Sequence, residues 1–119
     1  WESELLGWYG LAAGFDGMLR WAYNSYPKDP AYDSRFGGFP SGDTYFVYPY
    51  GRSSIRMEKL VEGIQNVEKV RLLREADPAK VKDIDAILAE MMTMNILDPQ
   101  QPWLDITCRA RKALDEASR

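Results

Sequence analysis

Aromatic and polar side chains that could form a sugar pocket are concentrated in the first half of the chain. A pyranose ring has apolar C–H faces that pack on an aromatic ring, and its hydroxyl groups require directional hydrogen bonds around the edge. The residues that could supply both are Trp21, Tyr23, Asn24, Asp43, Tyr45, Tyr48 and Arg56. Their types and crowding would suit carbohydrate recognition, but composition alone favours packing of the loop onto the core.

The same side chains also have simpler structural interpretations. The aromatic residues could pack a long loop onto the core without touching any ligand, because large rings bury much apolar surface. Arg56 stands near the start of a predicted helix and could hold the loop through a salt bridge to Asp43 or Glu58. We favour this salt bridge over a sugar contact for Arg56.

The residue types that most often catalyse reactions near neutral pH are absent or isolated. The chain has no histidine, which excludes every Ser-His and Cys-His nucleophile. Its single cysteine, Cys108, has no partner for a disulfide or a metal site. Any chemistry must use carboxylates, Lys, Tyr or Arg, and we predict no metal site and no cofactor.

Composition limits the classes of partner. The chain is 45% hydrophobic and 28% charged with a net charge of -3, so it has no basic excess to attract nucleic acid. The sequence contains no run of about 18 apolar residues, so no membrane span is predicted. Because the chain opens at Trp1 without an initiator Met, we expect a longer parent. Localisation is not predicted, and a secreted or periplasmic parent is left open.

The elements that must position the candidate residues are irregular in the first half of the chain. A short helix ending near Gly14 is predicted by one apolar face, formed by Leu5, Trp8, Tyr9 and Ala12. The compact run from Met18 to Tyr23 predicts a buried strand. Residues 25–52 then form a long, aromatic loop, interrupted by a short strand over 44–48.

The second half is charged and periodic, as amphipathic helices are. A long helix is predicted from Ser53 or Ser54 to Ala76, with Gly63 as a weak point. The Asp77-Pro78 and Asp98-Pro99 pairs each predict a helix start, because Asp can cap a helix and Pro suits its first position. We expect these three helices to pack together as a small layer.

Three stretches together resemble the C-terminal part of glycoside hydrolase family 123, over about residues 5–75. They are Gly-Phe-Asp-Gly-Met-Leu-Arg-Trp-Ala-Tyr-Asn (14–24), Ser-Gly-Asp-Thr-Tyr-Phe-Val-Tyr-Pro (41–49) and Ser-Ser-Ile-Arg-Met-Glu-Lys-Leu-Val-Glu-Gly-Ile-Gln-Asn-Val-Glu (53–68). Two departures stand out. Thr44 replaces the second Gly of a Gly-Asp-Gly step, and Asn66-Val67-Glu68 stands where Asp-Tyr-Glu is usual.

The resemblance implies a retaining, β-N-acetylgalactosaminidase-like enzyme in which the acetamido oxygen of the substrate is the nucleophile. In the family an adjacent Asp-Glu pair, on a barrel strand before this segment, orients the acetamido group and protonates the leaving oxygen. The one Asp-Glu dipeptide here, Asp115-Glu116, lies in a polar helix turn, so we assign no catalytic residue. The expected contribution is one wall of the sugar pocket, through Trp21, Tyr23, Asn24, Asp43 and Tyr45.

We therefore predict an α+β, mostly helical fold: the last strand-loop-helix unit of a (β/α) barrel with a C-terminal helical extension. Residues 1–76 are the barrel segment, with its loop over 25–52, and residues 77–119 are the extension, packed on it as one structural unit. Expected partners are carbohydrate and either the rest of the parent barrel or a second copy. A non-catalytic carbohydrate-binding module and a structural helical interaction domain are the rival predictions.

Overall fold

Four α-helices dominate the fold, and short irregular elements separate the first from the second. The computed structural model describes residues 1–119. The helices are α1 (Glu2–Ala12), α2 (Ile55–Ala76), α3 (Lys82–Met91) and α4 (Trp103–Ala117). One antiparallel sheet pairs β1 (Val47–Tyr48) with β2 (Arg52–Ser53), and 3₁₀ turns span Pro49–Gly51 and Pro78–Val81. A mostly helical chain with one small sheet agrees with the α+β class in its coarse form.

Local signals in the sequence set three of the helix boundaries. The Ser54 hydroxyl accepts a hydrogen bond from the Met57 amide at 3.2 Å and caps α2. The Asp77 carboxylate accepts one from the Ala79 amide at 2.9 Å and opens the turn that leads into α3. At the end of α1, Gly14 has a φ of +70°, a left-handed conformation that suits glycine. The predicted caps at these three places are confirmed.

The apolar core lies where α1, α3 and α4 pack together. Its fully buried or nearly buried side chains are Trp8, Val70, Val81, Ile84, Leu88, Met91, Trp103, Ile106, Ala110 and Leu114. Burying a large apolar side chain contributes roughly 1.5–3 kcal/mol before entropy is counted. The sequence predicted a layer of α2, α3 and α4. In the structure the closely packed helices are α1, α3 and α4, with α1 in the place predicted for α2. Helix α1 packs through Trp8 and the Tyr9 ring, which meets Trp103 edge-to-face at 6.4 Å.

Two glycines let α1 and α2 cross at backbone contact. A β-carbon placed on Gly7 would lie 2.7 Å from the Gly63 carbonyl oxygen, and one on Gly63 would lie 2.8 Å from the Glu4 carbonyl oxygen. Such distances are too short for any side chain, so the crossing requires glycine on both helices. Gly63, which the sequence marks as a weak point of its helix, is a packing residue.

The strand predicted over 18–23 is wrong in both regularity and burial. The structure has no strand there, and only Asn24 forms an isolated bridge, to Tyr45. Met18 is 48% exposed and Leu19 is 95% exposed. This segment pairs with residues near Tyr45 along one edge only, and no strand lies on its other edge. A two-stranded pairing of this kind is too weak to form a regular sheet. The strand predicted over 44–48 is likewise reduced to Val47–Tyr48.

The helix start predicted at Asp98-Pro99 is also wrong. The Asp98 carboxylate accepts hydrogen bonds from the Gln100 amide at 2.9 Å and the Gln101 side chain at 3.0 Å, which closes a turn instead. Helix α4 begins only after Pro102, at Trp103. The second proline explains the delay, because the residue before a proline is disfavoured in helical conformation.

The chain divides into two compact units. One, the helical unit, comprises residues 1–17 with 59–119 and contains the helical core. The other, the aromatic unit, comprises residues 18–58 and contains the aromatic loop, the small sheet and the first turn of α2. All five candidate sugar-binding residues belong to the second unit. None of the helices combines the length and the apolar composition needed to cross a lipid bilayer.

The glycine crossing predicts opposite effects of the same substitution at two glycines. Gly63→Ala should lower the free energy of unfolding by roughly 1–3 kcal/mol, because the new methyl group collides with backbone. Gly10→Ala, in α1 with no atom within 4 Å of its β-carbon position, should raise it by up to about 1 kcal/mol. Urea unfolding followed by circular dichroism measures both, and equal stabilisation by the two substitutions would contradict the crossing.

Candidate functional site

The two segments that carry the candidate residues run side by side in the unit formed by residues 18–58. Asn24 and Tyr45 face each other in an antiparallel bridge. The Ser25 amide donates to the Thr44 carbonyl at 3.1 Å, and the Phe46 amide donates to the Tyr23 carbonyl at 2.8 Å. The structure therefore brings Tyr23, Asn24 and Tyr45 together, although they lie about twenty positions apart in the chain.

Tyr45 lies at the centre of this unit and is 1% exposed. Its ring meets the rings of Tyr26 and Tyr48 edge-to-face, with centroids at 5.9 and 5.4 Å. Its hydroxyl donates to the Pro30 carbonyl at 3.3 Å. Burial raises the pKa of the Tyr45 phenol, so this side chain stays neutral and acts as a hydrogen-bond donor. Tyr45 is therefore a core residue of this unit.

Arg56 packs on Tyr45 and forms neither of the salt bridges predicted for it. Its guanidinium carbon lies 4.7 Å from the centre of the Tyr45 ring, and its Nε donates to the Tyr45 carbonyl at 3.2 Å. The carboxylates of Asp43 and Glu58 are instead bonded to Arg20 and Ser53. Gly42 makes room for this arrangement, because a β-carbon there would lie 2.8 Å from Arg56 Nη1.

Asp43 is held by Arg20, a residue outside the predicted set. Arg20 Nη2 donates to the Asp43 carbonyl oxygen and to Oδ1, each at 2.6 Å. The Arg20 guanidinium also lies 5.5 Å from the centre of the Phe46 ring. The pair ties the segment before Trp21 to the segment before Tyr45. Nothing in sequence spacing marks a pairing across 23 residues, although Arg20 stands directly beside Trp21.

Three of the candidate residues present their side chains to solvent. Trp21 is 55% exposed, Tyr23 is 52% exposed, and Asn24 is exposed. The Trp21 indole stacks on the Phe39 ring, with centroids 4.7 Å apart and an angle of 27° between the planes. Phe39 is a second residue that the sequence did not single out. Exposed aromatic rings of this kind can pack on a flat ligand.

The loop also contains an exposed ion pair between Asp33 and Arg35, which excludes Asp33 as a general acid. Arg35 donates from Nε to Asp33 Oδ1 at 2.8 Å and from Nη2 to Oδ2 at 2.7 Å. These side-chain hydrogen bonds from Arg35, with a further one from its backbone amide, lower the pKa of Asp33 to about 2. Asp33 is therefore ionised near neutral pH and cannot deliver a proton there.

A second polar cluster surrounds Glu4 in the helical unit. Glu4 is 0% exposed, and its Oε1 accepts hydrogen bonds from Trp8 at 3.3 Å, from Asn66 at 3.5 Å and from Arg111 Nε at 3.1 Å. Arg111 Nη2 donates to Oε2, and Lys59 Nζ lies 3.9 Å from the same oxygen. This cluster was not predicted from the sequence. Its one sign in the sequence is Glu4, an acidic residue four positions before Trp8 on the apolar face of the first helix.

The Glu4 cluster has the features of a structural ion pair. Its carboxylate is fully bonded and closed to solvent, so it offers no free oxygen to a substrate. The Glu4 hydrogen bonds raise the pKa of Arg111, which keeps the cation charged. Asn66 supplies an amide donor where the resembled family has Asp. A carboxylate at that position would repel Glu4, so this departure fits the local charge.

The acidic residues do not assemble into a metal site. No group of three or more His, Cys, Asp or Glu side chains lies close enough together to hold a metal ion. Cys108 is free and exposed on α4.

The first part of the chain matches a known protein family. Residues 1–73 match the family described as glycoside hydrolase 123, catalytic domain. This stretch is more than half of the chain and includes all of the aromatic unit and most of α2. No curated protein matches the chain.

The buried ion pair predicts a large difference between two arginines of α4. Arg111→Met should lower the free energy of unfolding by roughly 3 kcal/mol, because it leaves the buried Glu4 carboxylate without its bidentate cationic partner. Arg109→Met removes an equally bidentate pair with Glu90, at 2.7 Å for both bonds, but that pair is exposed. Its loss should leave the free energy of unfolding almost unchanged, because solvent screens an exposed ion pair. Chemical unfolding of the two variants checks this, and similar small losses would contradict it.

Proposed function

The chain belongs to glycoside hydrolase family 123, and on that premise we propose that it forms part of the sugar site of a β-N-acetylgalactosaminidase-like enzyme. Trp21, Tyr23, Asn24, Asp43 and Tyr45 contribute one wall of this site. The observation that carries the proposal is the family match over residues 1–73, which spans the whole aromatic unit. The substrate class is a carbohydrate with an N-acetyl group.

Each proposed residue has a role that fits its surroundings. The exposed Trp21 and Tyr23 rings pack on the apolar face of the sugar. The Asn24 amide can both donate to and accept from sugar hydroxyls. Asp43 receives Arg20 at its main-chain oxygen and at Oδ1, which leaves Oδ2 for a hydroxyl. Tyr45 is buried, and its backbone bridge to Asn24 holds that segment in place.

The proposed reaction needs no nucleophile from this chain. The acetamido oxygen of the substrate attacks its own anomeric carbon as the glycosidic bond breaks, and water later opens the cyclic intermediate with retention. A neighbouring Asp orients and polarises the acetamido group, and an adjacent Glu protonates the departing oxygen. We place that Asp-Glu pair in a longer parent, outside this chain.

The surroundings of Asp115 and Glu116 support this placement. Both side chains are exposed at the end of α4, and Glu116 lies 3.9 Å from Lys112. A general acid must keep its proton near neutral pH, which requires burial or a neighbouring negative charge. Both side chains are open to solvent, so neither has that burial. The dipeptide is a solvent-facing helix end.

We propose that residues 1–76 are the last segment of a (β/α) barrel, with its loop over 25–52, and that residues 77–119 are a helical extension forming one structural unit with it. The packing of α1 on α3 and α4 supports joining the extension to the start of the chain. The rest of the parent barrel would then cover the exposed residues of the 18–23 run, or a second copy would do so.

A non-catalytic carbohydrate-binding module is the second candidate. The observation that favours it is the separation of residues 18–58 as a compact unit of their own, with rings exposed on its surface. Such a module would bind sugar whether or not a catalytic pair is present.

Turnover of a chromogenic β-N-acetylgalactosaminide separates the two functions. We expect no turnover by this chain alone, turnover by a longer parent, and none by either on the matching β-galactoside, which lacks the acetamido nucleophile. In the parent, Trp21→Ala should lower kcat/KM by about tenfold or more through lost stacking.

An inactive parent that still binds the sugar would favour the binding module. Turnover by the chain alone that Glu116→Gln abolishes would overturn the placement of the acid.

A further inference from the structure

We infer that Phe39 is a positioning residue of the sugar site, which holds the Trp21 indole in the orientation that packs on the pyranose ring. The inference rests on the proposed function, because it takes Trp21 to be a sugar-stacking residue. It adds a residue and a role that neither the family match nor the motif spacing provides.

The stack leaves the indole both restrained and available. The Trp21 and Phe39 rings overlap at 4.7 Å with nearly parallel planes, a separation within the range of offset stacking. One face of the indole is thereby covered by Phe39. Since 55% of Trp21 remains exposed, the stack leaves ring surface for a ligand. Phe39 itself is 46% exposed, so the pair stands at the surface of the unit.

The backbone around Phe39 forms a tight reverse turn. Phe36 and Phe39 form an antiparallel bridge, with the Phe39 amide donating to the Phe36 carbonyl at 3.3 Å. Gly37 makes the turn possible through its φ of +61°. The Gly42 amide donates to the Ser34 carbonyl at 3.0 Å, which joins the two ends of the loop that contains this turn. The backbone that carries the Phe39 ring is therefore held in place.

The backbone around Trp21 is fixed on both sides. Arg20, just before it, is bonded to Asp43, and the Tyr23 carbonyl, just after it, accepts from the Phe46 amide. Asp43 directly follows Gly42, whose amide bonds to Ser34 at the other end of the loop that carries Phe39. Hydrogen bonds therefore hold the backbone on which each ring stands. The contact between the Trp21 and Phe39 rings joins two segments that lie 18 positions apart in the chain.

This restraint has a direct effect on binding. A half-exposed Trp side chain with no neighbour samples several rotamers, and a ligand that stacks on it must pay for selecting one. Stacking on Phe39 selects an orientation before the sugar arrives. Replacing the ring by an aliphatic side chain should weaken affinity without removing any direct sugar contact.

The test compares affinities of the whole chain for the methyl β-glycoside of N-acetylgalactosamine, measured by isothermal titration calorimetry. Phe39→Leu should raise Kd by about two- to tenfold, the range expected for losing one aromatic pair. Phe39→Tyr keeps the ring and should restore the original Kd. Tyr32→Leu is the matched control, because Tyr32 is 92% exposed in the same loop, and it should leave Kd unchanged.

Trp21→Ala distinguishes failure of the inference from failure of the proposed function. If Trp21→Ala abolishes binding and Phe39→Leu binds as tightly as the original chain, Phe39 has no positioning role, while the sugar site stands. If Trp21→Ala leaves Kd unchanged, or if the chain binds no sugar, the proposed site is wrong and the inference falls with it. A Phe39→Tyr variant that binds as weakly as Phe39→Leu would also overturn the inference, because the ring alone would not account for the loss.

Discussion

The buried carboxylate of Glu4 and the glycine crossing beside it are the constraint on which the helical unit depends. Gly7 and Gly63 bring α1 and α2 to backbone contact, and this closeness places Glu4 within reach of Asn66 on α2 and Arg111 on α4. A buried charge must be matched in full, since each missing partner leaves a large desolvation penalty. The cluster therefore fixes how three helices meet around residues far apart in the chain.

The two compact units use polar groups in different ways. In the helical unit the charge is buried and fully paired, which favours one fixed arrangement. In the aromatic unit, Arg20 and Arg56 lie against the faces of Phe46 and Tyr45 and support the backbone, while Trp21 and Tyr23 remain exposed. On the proposed function, a sugar would pack on these exposed rings, whereas the Glu4 cluster offers it no free polar group.

The sequence predicted the parts of this molecule that depend on local signals. Capping by Ser54 and Asp77 and the left-handed Gly14 follow from single residues and their neighbours, and the family resemblance followed from three short motifs. The strand over 18–23 failed because strand formation depends on what pairs at each edge. The Asp98 start failed because Pro102 overrides it. The Glu4 cluster, the Arg20–Asp43 pair and the Trp21–Phe39 stack depend on long-range contacts, which spacing along the chain does not encode.

Sugar recognition by residues 18–58 is the central claim, and nuclear magnetic resonance tests it directly. Amide and indole signals of the ¹⁵N-labelled chain are recorded while the methyl β-glycoside of N-acetylgalactosamine is added. We expect the shifting signals to belong to residues 18–58, with the Trp21 indole and the Asn24 side-chain amide among them, and the signals of the helical unit to stay unchanged. An unchanged spectrum, or shifts confined to the helices around Glu4, would contradict it.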